Sequence, residues 1–253
     1  MLEALPTLAF HAVLLLCRLG GAVMLLPGLG EQEVPMAIRL ALLLALVALL
    51  IAPLAPTLPP LPAELGDLAR LLCGEIAIGL WFGVLARLLS LAMAQAGQVV
   101  ALMTGLSSPL QTDPAFGAHS TAPGRLFSLM AALLILSTGL YALPLQGLVR
   151  SYALLPAGGP VPLGATAELL AQAVADSLGI ALRLAAPLVL AGITGNFALA
   201  LLARVAPQVQ VYNLAAPAQI LAGLLLLMLV LPPLLEVWLA ASREGFLALG
   251  AGR

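Results

Sequence analysis

Residues 71–91 read LLCGEIAIGLWFGVLARLLSL, from Leu71 to Leu91, and hold only two charged groups, Glu75 and Arg87. A helix needs about 20 apolar residues to cross the hydrocarbon of a bilayer, and this stretch has that length. No proline interrupts the chain between Pro62 and Pro109, so the helical pattern continues outward in both directions. A helix from there to Met103 would run about 60 Å, roughly twice the hydrocarbon thickness. Either it breaks near Gly97 or it extends past the lipid.

Five further apolar blocks flank this one: roughly Thr7–Leu26, Ile38–Ala55, Leu126–Leu148, Leu178–Leu202 and Leu214–Leu235. Pro27-Gly28-Leu29-Gly30 closes the first block, and five prolines lie between Pro53 and Pro62. Ser107–Gly124 and Pro156–Gly164 form the other long connectors. The chain of 253 residues is 62% hydrophobic and only 8% charged, with a mean hydropathy of +1.14. Soluble domains are about half apolar and a quarter charged, so a membrane is the solvent that fits. Backbone groups in lipid must be satisfied internally, and the ten-residue alternation of a barrel is absent, which makes the segments helices. The expected fold is an all-α membrane protein of about six hydrophobic helices, some long and kinked, arranged as hairpins in one domain over 1–253. No basic residue precedes Arg18, so the first helix lacks the n-region of a cleavable signal peptide.

The formal net charge is −1, which gives no electrostatic case for nucleic acid. All ten basic residues are arginine. Without lysine there is no phosphate-cradling loop of the usual kind. The two histidines, His11 and His119, are far apart, and no HExxH, CxxC or GxSxG occurs. Cys17 and Cys73 read as small hydrophobes. The chain is expected to be neither an enzyme nor the holder of a metal or cofactor.

Charge inside lipid is the remaining signal. An intramembrane charge costs at least about 2.5–3.5 kcal/mol unless it is paired or wet. Arg18, well inside the first block, calls for a buried partner. Glu75 and Arg87 are about 18 Å apart along one helix, so each needs a partner from another helix or chain, or a route to the interface for Arg87. Gly74, Gly79 and Gly83 mark a close helix contact, and Gly192 and Gly195 mark another beside Thr194 and Asn196. Gln95 and Gln98 read as lining an interface or an aqueous path.

The order of these features resembles the FliR family of flagellar export-gate subunits and its injectisome counterparts, the SctT proteins. Arg18, Gly21 and Pro27, then Val34-Pro35 and Arg39, are similar to the family's first-helix arginine and its following turn. Gly74-Glu75 with Gly79 and Gly83 resembles its glycine-rich helix. Ala96-Gly97-Gln98, Met103-Thr104-Gly105-Leu106-Ser107 and Asp113-Pro114 resemble the approach to its central loop. Arg204-Val205-Ala206-Pro207-Gln208 resembles its RxxPQ motif. Gln210 stands where the family commonly has Asn, with Asn213 three residues on.

The resemblance implies a conduit in the bacterial inner membrane, multi-pass and within the flagellar basal body, through which unfolded exported proteins pass. It implies FliP-like and FliQ-like sister subunits and an FlhB-like protein near the C-terminal helix. The loop holding Gly105, Leu106, Ser107, Pro109, Asp113, Pro114 and Gly117 would be the plug of the closed channel. Arg18, Arg39, Glu75, Arg87, Gln95, Gln98, Arg204, Gln208 and Asn213 would make intersubunit or intramembrane polar contacts, with the partners of the unpaired charges on other subunits. After Pro232-Pro233, Glu236, Ala240 and Arg243 share one helix face and Leu234, Val237, Trp238 and Ala241 another, as an interfacial or partner-binding helix would. An injectisome subunit of the SctT kind is the alternative within the same machine class. A small secondary transporter is a more distant one, and it predicts inverted repeats that the sequence lacks.

Overall fold

A computed structural model of the chain describes residues 5–31, 33–106, 121–159, 163–205 and 211–251. These residues are helical throughout their regular structure: α1 (Leu5–Val23), α2 (Met36–Leu54), α3 (Leu65–Met103), α4 (Ala122–Ser137), α5 (Ala142–Leu154), α6 (Leu163–Val205) and α7 (Val211–Ala251). A short 3₁₀ turn, Ala55–Thr57, follows α2. Among the described residues five helices are long and apolar enough to cross a membrane, and α4 with α5, bent by 71°, is a broken span or a re-entrant loop that would bring the number to six if it is one span. The chain is an all-α, multi-pass membrane protein.

Of the two readings of the third block the unbroken one holds: α3 is one helix of 39 residues. The sequence blocks and the helices differ at two other places. The block 126–148, expected as one span, is interrupted between Ser137 and Ala142. Ser137 Oγ and Thr138 Oγ1 both donate to the Leu134 carbonyl, at 3.3 and 2.6 Å, and Gly139 takes φ +74°. Side-chain back-bonding bends a helix, and a left-handed glycine ends it. The second difference is at the C-terminus, where α7 runs through Pro217, Pro232 and Pro233 on to Ala251, past the expected end of its block at Leu235. In its last part Glu236, Ala240 and Arg243 are exposed and Leu234 and Trp238 buried, as expected, but Val237 is exposed with the former set.

The chain divides into two compact units. The first comprises Met1–Leu89, Ala132–Ala173 and Arg243–Arg253, the second Ser90–Ala131 and Val174–Ser242, so α3, α4, α6 and α7 contribute to both. In the first unit, Leu15, Leu19 and Ala22 of α1 pack with Leu43 and Val47 of α2, Phe82 of α3, and Leu148 and Tyr152 of α5. His11 Nε2 donates to the Pro59 carbonyl at 3.1 Å, fastening the proline-rich connector to α1. In the second unit, α3 buries Ala92, Met93, Ala96 and Val100, and α6 buries Ser177, Ala181, Leu184, Ala185 and Leu188 at helical spacing. That stripe then stops. No residue from Val189 to Val205 is buried, although the segment is strongly apolar.

Candidate functional site

Two constellations of polar residues stand out, one in each unit. The first exists because α1 and α3 approach at their glycines. A side chain on Gly79 would collide with the Arg18 carbonyl; one on Gly83 would lie 2.9 Å from Leu25 Cβ, and one on Gly21 3.0 Å from the Ile76 carbonyl. Without side chains there, the backbones can come close enough for Arg18 to meet Glu75. Arg18 Nε donates to Glu75 Oε2 at 2.7 Å and Nη2 to Oε1 at 2.9 Å, a two-point pairing of side chains that are 0% and 1% exposed.

The guanidinium is saturated further by α5. Nη2 also donates to the Leu155 carbonyl at 2.9 Å, and Nη1 to Ser151 Oγ at 3.3 Å, while Ser151 Oγ donates to the Leu148 carbonyl at 2.6 Å. Its carbon lies 4.0 Å from the centre of the Tyr152 ring. Leu155 is the C-cap of α5, where free carbonyls and the helix dipole favour a cation. One arginine thus ties α1, α3 and the second half of the broken span together. Planar two-point pairing plus extra acceptors is the arrangement in which a buried pair offsets its own desolvation.

The other charges of this unit are looser. Arg87 reaches Glu31 at 3.5 Å, with side chains 29% and 14% exposed. Arg39 donates from Nη2 to the Glu31 carbonyl, and its Nε is buried without an acceptor among the described residues. Gly74 differs from its neighbours: a side chain there would meet nothing within 4 Å. Two of the three expected packing glycines therefore close a helix contact within this chain, and Gly74 does not. Arg18 and Glu75 meet on neighbouring helices, the other-helix alternative of the expectation, and Arg87 reaches Glu31, so each of the three has a partner within the chain. Proline and glycine in the turn after α1 bring Glu31 to Arg87, and the glycine crossing brings Glu75 to Arg18.

The second constellation holds both ends of the segment that links α3 to α4. At its exit, α3 ends with Gly105 at φ +74°, and Leu106 N–H donates back to the Ala101 carbonyl at 2.9 Å, a Schellman cap. Thr104 Oγ1 donates to the Val100 carbonyl at 2.9 Å, and Gln219 of α7 donates to the Met103 carbonyl at 3.3 Å. Gly192 of α6 and Gly223 of α7 lie against Met103 and Thr104: a side chain on Gly223 would come within 2.6 Å of Thr104, one on Gly192 within 3.1 Å of Met103. Gly195 faces open space. At the return, Thr121 Oγ1 caps α4 by accepting from Gly124 N–H at 3.2 Å and itself donates to Gln98 Oε1 at 2.9 Å. Gly97 and Gly124 pack backbone to backbone beside it. A cavity of about 390 Å³ opens between α6 and α7 next to Met103 and Thr104.

Of the expected plug residues, Gly105 and Leu106 belong to this stem; Ser107, Pro109, Asp113, Pro114 and Gly117 lie outside the described residues, as does Gln208. Gln95 Oε1 is buried without a donor among the described residues, and Arg204 is exposed in the last turn of α6. Asn213 lies in the first turn of α7, its side chain outside the described set. Sequence reasoning missed Ser151 and Tyr152 as neighbours of Arg18, and Thr121 and Gln219 as clamps. Polar groups on apolar helices were the available signal for Ser151 and Gln219. Nothing in the sequence marked the Leu155 carbonyl.

Residues 9–245 match the family described as bacterial export proteins, family 1. Similar proteins include the flagellar biosynthetic protein FliR of Caulobacter vibrioides, 36% identical over 93% of this chain and 94% of that protein. The protein of the same name from Aquifex aeolicus is 29% identical over 81% and 79%. The Yop proteins translocation protein T of Yersinia pestis is 29% identical over a shorter share, 61% of this chain and 60% of its own length.

Proposed function

The chain belongs to the bacterial export proteins, family 1, and from that membership we propose that it is a subunit of the flagellar protein export apparatus, a conduit and not an enzyme. The observation that carries the reading is the similarity to a protein named for flagellar biosynthesis over nearly the full length of both chains. The similarity to the Yersinia translocation protein covers a smaller share, so the flagellar system is favoured over the injectisome. In this reading the whole chain is one membrane domain of the inner membrane at the flagellar base. It assembles with FliP-like and FliQ-like subunits, with an FlhB-like protein near the end of α7, and passes unfolded proteins.

The arrangement within the chain supports such a role. The first unit closes its own buried charge and can hold a fixed shape in lipid. In the second, α6 and α7 leave apolar faces open over many turns, as suits helices that pack against other chains. The segment between Leu106 and Thr121 acts as the plug: its two ends are clamped to α3, so the span between them starts and returns at fixed points. Arg39, Gln95, Arg204, Gln208, Asn213 and Gly74 provide contacts to sister subunits.

Purification of the tagged full chain from its own host tests the assembly. The chain is expected to bring down other flagellar export membrane proteins in a defined complex, and its deletion to abolish secretion of flagellar filament protein. A chain that purifies alone, or a deletion strain that secretes filament protein normally, would refute the reading.

A further inference from the structure

Among the described helices α2 and α6 each hold one interior proline, Pro53 and Pro187, whereas α7 carries Pro217 and two consecutive prolines, Pro232 and Pro233, in its interior. Each proline lacks the N–H that would close the helical bond four residues back. The carbonyls of Met228 and Leu229 therefore lose the N–H donor four residues on that closes a regular helix. These two carbonyls lie in a stretch without charge from Val211 to Leu235, inside a segment long and apolar enough to cross a membrane. Met228 and Leu229, both 76% exposed, are the most exposed large apolar side chains among the described residues of the helix, and Leu225 at 59%, Pro232, Pro233 and Glu236 lie on the surface beside them. On the opposite side Leu227 and Leu234 are 6% exposed and Trp238 is fully buried, so α7 is held from one side only.

Lipid tails offer no hydrogen-bond donor, and prolines persist in membrane helices where a neighbouring helix satisfies the freed groups. We infer that the Leu225–Glu236 stripe of α7 is the seat of one transmembrane helix from a sister subunit, which donates side-chain hydrogen bonds to the Met228 and Leu229 carbonyls. A hydroxyl or amide side chain of Ser, Thr, Asn or Gln has the required chemistry, and the apolar surface around the carbonyls fits the remainder of such a helix. The inference rests on the export-apparatus reading and goes further, by naming the surface and the chemistry of its partner.

Two measurements on the full chain in its host test it. A photo-reactive amino acid at Met228 should form an adduct, mapped by peptide sequencing to a membrane helix of another export subunit that bears a donor side chain. The Pro232→Ala/Pro233→Ala variant regains both N–H groups and closes its own carbonyls. It should keep or raise the thermal stability of the isolated chain while lowering the yield of sister subunits about tenfold, the effect expected of losing interhelical hydrogen bonds worth about 1.4 kcal/mol. Adducts only with lipid, with a second copy of this chain or with nothing, while the unsubstituted chain still assembles, would overturn the inference and leave the export reading intact. So would a variant that assembles at full yield. An unsubstituted chain that purifies alone would overturn both.

Discussion

The two units of this chain handle polarity in an apolar solvent in opposite ways. The first places a full charge pair, Arg18 and Glu75, beyond the reach of solvent and satisfies it with its own atoms. The second clamps its helices with neutral groups, Gln98 to Thr121 and Gln219 to Met103, beside glycine contacts and helix faces left open from Val189 to Val205 and along α7. The difference teaches where a subunit can afford to depend on others. A buried charge without its partner is costly at every moment before assembly, so it is closed internally; open apolar faces with neutral polar groups can wait for a neighbour.

The contrast can be broken at its strongest point first. Glu75→Ala leaves Arg18 buried without its carboxylate and should remove about 3–5 kcal/mol of stability from the isolated chain. Thermal unfolding in detergent should show it, together with reduced steady-state level in the membrane. Gly79→Ala should follow, at about 1–3 kcal/mol, because the added methyl meets the Arg18 backbone and forces α1 from α3. The matched Gly74→Ala should stay within about 0.5 kcal/mol of the parent, since that site is open. In the second unit, Gln98→Ala removes the acceptor for Thr121 and should cost about 1 kcal/mol. Its mark is faster amide exchange at Thr121–Gly124 with the first unit unchanged. Arg87→Gln should shift stability by less than about 1 kcal/mol, because its pairing with Glu31 is long and partly exposed.

Much of the fold was legible because lipid imposes a length and a composition. The span 71–91 and its extension to Met103 followed from an unbroken apolar run without proline, and α3 is that helix. The bend at Thr138-Gly139 was not legible: two hydroxyls and one glycine in an apolar block pass unnoticed unless their bonds to Leu134 are seen. α7 outran its block in the other direction. The expected span Leu214–Leu235 already contained the proline pair, but the amphipathic segment after it continues the same helix to Ala251. For the site, Arg18's need for a buried partner was visible, and Glu75 was visible as a charge out of place. That the two answer each other was hidden, because it depends on the crossing of α1 and α3 at Gly21, Gly79 and Gly83. The Leu155 carbonyl carries no sequence signal at all.

The central claim is that this charge pair is sealed within the chain and does not await a sister subunit. A double-mutant cycle with Arg18→Met and Glu75→Leu on the isolated chain tests it most directly, read by thermal unfolding in detergent with assembly yield measured in parallel. Each single substitution should destabilise the chain strongly, and the double variant should recover most of the loss and still assemble, because two matched apolar side chains can replace a buried pair. Single variants that leave the isolated chain as stable as the parent but abolish its assembly would contradict the account and place the partners of Arg18 and Glu75 on another subunit.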